Sequence, residues 1–134
     1  MKRKYLPSLG ELVDRLSINQ IKEVKIPDAK EQYAQEIQDI MHDIDLILQQ
    51  SDIRLNAKEI RVIVVLAQMN LHIWENESKC RSEGKLEGSD LRLTHGLNGI
   101  RTEAKNKINV VEGSGQDHKI DCLAAEFDDW EISW

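Results

Sequence analysis

DAKEQYAQEIQDIMHDIDLILQQ, residues 28–50, places Tyr33, Ile37, Ile40, Met41, Ile44, Ile47 and Leu48 at the i, i+3, i+4, i+7 spacing of one helical face. Gln32, Gln35, Glu36, Asp39 and Asp43 fall on the other side, where water can solvate them. The segment therefore predicts an amphipathic helix. Ile26-Pro27-Asp28 marks its start, because the residue before a proline is pushed out of the helical region.

Upstream of that boundary, Ser8 followed by Glu11 gives a capping box that opens a first helix. Leu9, Leu12, Val13 and Leu16 form its apolar face. After Ser17 the phase moves to Ile18, Ile21 and Val24, which predicts a kink or break there. Downstream, Asn56 and Glu59 open a third helix over 57–83. Its first half, with Ile60, Val62, Ile63, Val64, Val65, Leu66 and Ala67, is apolar nearly all round. Such a helix is surrounded by other elements or sits in a subunit interface, so self-association into a homo-oligomer is expected. Gly84 to Gly88 reads as a loop. Ser89 then caps a fourth helix that runs to about Asn109, with Leu93, Leu97, Ile100, Ala104 and Ile108 as its buried stripe. Gly96 and Gly99 weaken that helix by about 1 kcal/mol each, which close packing against a neighbour would explain.

The predicted architecture is an all-α bundle of about four main helices over 1–112, followed by a hinge and an acidic, tryptophan-containing arm over 113–134. Gly113-Ser114-Gly115 supplies the hinge, and Ile120 to Phe127 has the pattern of a short helix. Two prolines and seven glycines in 134 residues leave little for a turn-rich β fold. The net charge of −6 is concentrated at one end: beyond residue 112, six acids face Lys119 alone, a net of −5 that leaves the remainder at −1. The short basic start Lys2-Arg3-Lys4 makes no basic stripe, so a nucleic-acid partner is not expected. Arg61, Gln68, Asn70 and His72 interrupt the longest apolar stretch, so no membrane span is expected either. No apolar run follows the basic start, which predicts a cytoplasmic protein with Cys80 and Cys122 as reduced thiols.

Helix three carries the most suggestive side chains. At about 100° per residue, Asn70, Trp74, Glu77 and Arg81 share one sector with the core residues Ile63 and Leu66. Polar groups on a core-facing stripe need partners, and Asn98, Arg101 and Lys105 flank the apolar stripe of helix four. These seven residues either form a buried network that fixes helix register or line a ligand pocket. Paired acids at i, i+3, including Glu11/Asp14 and Glu36/Asp39, raise a Mg²⁺ reading. With 24 acids in the chain, such pairs also arise from composition. The metal alternative would use Glu11, Asp14 and Glu77; the leading reading has no cofactor. In the arm, Trp130, Ile132 and Trp134 either fold back onto the bundle or dock into a groove on a partner.

Leu9-Gly10-Glu11-Leu12-Val13-Asp14-Arg15-Leu16, then Asn70-x3-Trp74-x2-Glu77, then Asn98-x2-Arg101-x3-Lys105, resembles small helical proteins of bacteria and their phages. Those proteins pair a Leu-Gly-Glu-Leu-x-Asp-Arg-Leu opening with an Asn-x3-Trp-x2-Glu helix. The resemblance implies a helical fold and a prokaryotic or phage setting, and brings no established activity. The leading functional expectation is a non-catalytic protein that binds an anionic, nucleotide-like ligand through Arg81, Arg101 and Lys105. Asn70 and Asn98 would supply hydrogen bonds and Trp74 a stacking surface. In a phage setting it could sequester a host signalling nucleotide. The alternatives are a Mg²⁺-dependent nucleotide hydrolase, and an adaptor or inhibitor acting through the arm.

Overall fold

The computed structural model describes residues 6–83, 88–112 and 131–134. Among them there is no strand. The long elements are α1 (Leu9–Lys25), α2 (Lys30–Gln50), α3 (Ala57–Glu83) and α4 (Gly88–Glu112), with one 3₁₀ turn at Pro27–Ala29. The all-α bundle of four main helices is thus observed, and no helix among the described residues is long and apolar enough to cross a membrane. The predicted short helix over 120–127, and Trp130, lie outside the described residues.

Helix α1 is the hub. It packs against α2, α3 and α4, while α3 and α4 pack against each other. Leu9, Leu12 and Val13 of α1 meet Ile47 of α2, Val62 and Leu66 of α3, and Ala104 and Ile108 of α4 in one apolar cluster. A second cluster lies between α3 and α4: Val65, Met69 and Ile73 against Leu97 and Ile100. Each of these larger side chains, once buried, contributes about 1.5–3 kcal/mol. Lys22 of α1 reaches over the Tyr33 ring of α2, 5.7 Å from its centre, which ties the outer helix to the hub.

The predicted kink after Ser17 is absent: α1 runs unbroken. The shift of apolar phase has a different cause. A helix packed on more than one side needs a second buried face, and Ile18 and Ile21 are half-buried on it, whereas Val24 of the same phase is exposed. Helix α4 runs to Glu112, three residues past the expected end, because its last turn serves α1. Leu9 N–H donates to Glu112 Oε1 at 2.8 Å, Gly10 N–H to Asn109 Oδ1 at 2.8 Å and Glu11 N–H to Ser8 Oγ at 3.3 Å. The opening amides of α1, which have no acceptor within their own helix, are all satisfied. The Asn56/Glu59 capping box also forms, with bonds of 2.8 and 3.0 Å.

Candidate functional site

The polar residues of α3 and α4 meet at a residue of α1. Asp14 is 4% exposed, on the stripe that Gly10, Asp14 and Ser17 make along the hub helix. Arg101 grips its carboxylate in a fork: Nε donates to Oδ1 at 2.8 Å and Nη2 to Oδ2 at 2.6 Å. The Asn70 amide donates to Asp14 Oδ1 at 2.8 Å and to Ser17 Oγ at 2.6 Å. Arg101 Nη1 donates to Asn98 Oδ1 at 3.3 Å. Three helices are thereby pinned through one carboxylate.

The electrostatics follow from this geometry. Burial works to raise the Asp14 pKa, but the Arg101 and Asn70 hydrogen bonds, with the charges of Arg101 and Lys105, hold it below its ordinary value of 3.8. The bond to Asp14 raises the Arg101 pKa against the opposing effect of burial, and the charges of Asp14 and Glu77 add to the rise. Two-point contact of this kind is among the strong hydrogen-bonded pairs. Removing one partner would leave the other charge buried and uncompensated.

The predicted site residues therefore divide. Asn70 and Arg101 come together through Asp14, and Asn98 joins them by accepting directly from Arg101. Lys105 and Glu77 stand close enough for their charges to act on the pair. Trp74 is half-buried on α3. Arg81 lies out in solvent; its 3.6 Å ion pair with Glu77 joins side chains 79% and 45% exposed, a contact of little energetic weight. The metal alternative is not assembled: both Asp14 oxygens are held by Arg101, and Glu11 is exposed on the first turn of α1. Among the described residues no group of three or more His, Cys, Asp or Glu side chains is placed to hold an ion.

The end of the arm rests on its own bundle. Ile132 and Trp134 are half-buried, and Trp134 touches both apolar clusters. Lys107 Nζ stands 5.1 Å from the centre of a Trp134 ring. Arg61 donates from Nη1 to Ser133 O at 2.9 Å and from Nη2 to Ser133 Oγ at 3.2 Å. Sequence reasoning missed Asp14 as the hub and Arg61 and Lys107 as clasps for the tail. The one signal for Asp14 was its place between Gly10 and Ser17 on a helix whose apolar pattern already showed two phases.

Two cavities lie apart from the network. One, of about 460 Å³, opens between the start of α3 and the end of α4 at Lys58, Val62, Asn106 and Lys107. The other, of about 160 Å³, is apolar and lined by Leu16, Ile44, Leu48 and Ile63 among others. Compared with known protein families, curated proteins and solved structures, the chain matches none.

Proposed function

We propose that the chain is a non-catalytic binding protein for a small anion of nucleotide type, taken at the rim of the Asp14–Arg101 network. One observation carries this reading. The Arg101 guanidinium is fixed in its plane by Asp14, yet its side chain remains 28% exposed. Three of its five N–H groups serve Asp14 and Asn98. The other two can meet an oxyanion in the geometry that guanidinium groups favour. The Lys105 charge beside it and the half-buried indole of Trp74 supply further attraction and a surface for a base. Asp14 and Asn70, both buried, then act as positioning residues for Arg101 rather than as ligand contacts. In the phage setting that the sequence resemblance implies, such a protein would hold a signalling nucleotide away from its receptor. The adaptor reading gains no support from the end of the arm, which is seated on its own chain.

The test is calorimetric titration of the protein with nucleoside monophosphates and cyclic di- and oligonucleotides, and of Lys105→Ala beside it. At least one nucleotide is expected to bind, and the variant to lose affinity by about tenfold, the share of one charge-assisted contact. Mass spectrometry should recover the nucleotide unaltered. Absence of binding across the panel, or recovery of a cleaved product, would overturn the proposal.

A further inference from the structure

Helix α3 turns an apolar stripe to solvent on the side opposite its core face. Val62, Leu66, Met69 and Ile73 point inward and are at most 9% exposed. On the outer side, Ile60 is 53%, Val64 60% and Leu71 38% exposed; Ala67 is exposed and Trp74 half-buried. The spacing of Ile60, Val64, Ala67, Leu71 and Trp74 alternates four and three residues. Over two heptads that alternation matches the spacing of a coiled-coil seam. Arg61, Gln68 and Glu75, seven residues apart and all exposed, flank the seam on one side. The stripe is about 21 Å long at the rise of an α-helix.

We infer that a second copy of this chain packs on this stripe, antiparallel, with the two-fold axis at Gln68. In an antiparallel helix pair each flank meets its own counterpart. With the axis at Gln68, Arg61 lies opposite the partner's Glu75, and Glu75 opposite the partner's Arg61. Sliding the pair by one heptad loses both matches, so the charges select a single register. In that register Leu71 lies level with the gap between the partner's Val64 and Ala67, and Trp74 with the gap between the partner's Ile60 and Val64. Large side chains enter gaps between smaller ones, as interdigitating layers require. Arg61 also holds Ser133 through Nη1 and Nη2. Those bonds use two of its five N–H groups and fix the guanidinium beside the seam. The contact area of one helix pair is modest, so monomer and dimer should exchange as the concentration changes.

The inference of a dimer seam does not depend on the ligand reading. Trp74 enters both, so it is left intact in the test. Sedimentation of the full chain over a concentration series, with helicity followed by circular dichroism, compares four proteins. The wild type is expected to pass from monomer to dimer. Val64→Glu is expected to remain monomeric with unchanged helicity, since that side chain lies outside the core. Glu75→Arg, which sets arginine against arginine, is expected to weaken dimerisation by about tenfold. Combining Arg61→Glu with Glu75→Arg should restore it. A wild type that stays monomeric throughout would overturn the inference. So would a dimer indifferent to Val64→Glu, or a double variant no better than Glu75→Arg.

Discussion

A methyl group added at Gly10 would sit 2.5 Å from the backbone oxygen of Lys105 and 2.5 Å from Asn109 Oδ1. In an unobstructed helix, alanine would be favoured over glycine by about 0.5–1 kcal/mol. Here it would force α1 off α4 or drive Asn109 away and strand the Gly10 amide. Gly10→Ala is therefore expected to lower the unfolding free energy by about 2 kcal/mol, within the range of overpacked sites. Urea denaturation measures it, and a variant as stable as the parent would show that the two helices can part cheaply. The same neighbourhood explains what could be read in advance. Asn70 and Arg101 were legible because a polar group beside a core stripe demands a partner. Asp14 was not legible as their hub. Its guanidinium partner lies 87 residues away, and periodicity is a local signal that cannot match one charge to another at such distance.

Helix α2 could be read closely, since its pattern has one phase, although it starts at Lys30 after the 3₁₀ turn and Met41 of the expected apolar face is exposed. Helix α1 could not, because packing on several sides gives it two phases, and a superposition of two looks like a break. For α4, the apolar stripe stopped at Ile108, so the helix was expected to stop with it. The last turn persists because Asn109 and Glu112 serve another helix. The tail left two readings open in the sequence, folding back or docking elsewhere, because Trp134 and Ile132 suit either surface. Their seat on both apolar clusters makes the tail a strap across α3 and α4. Deleting residues 131–134 is expected to remove about 2 kcal/mol, the burial of an indole and an isoleucine discounted for their partial exposure. The thermal midpoint should drop by several degrees with helical content retained. An unmoved midpoint would mean that the strap contributes nothing in solution.

For the molecule as a whole, the buried ion pair sets a response to acid. The Asp14 pKa is depressed in the folded state. Its contribution is thus complete above the unfolded value and disappears as pH falls through the lower folded one, below about pH 4. The wild type should lose stability steeply in that window. Asp14→Asn should be about 3 kcal/mol weaker at neutral pH, the cost of leaving a largely buried guanidinium without its carboxylate. It should also show a shallower fall, so that the two curves converge in acid. Denaturant titrations at pH 7 and pH 3 check this, and parallel curves would sink it. The caps of α1 bear on the molecule's history as well. Leu9 and Gly10 find their acceptors 103 and 99 residues later in the chain. A ribosome therefore delivers the first turn long before the groups that complete it. Until residue 112 has left the exit tunnel, the amides of Leu9 and Gly10 have only water, and Leu9, Leu12 and Val13 lack the cover of Ala104 and Ile108. A nascent chain stalled short of that point would be a substrate for chaperones, however well its middle helices had formed.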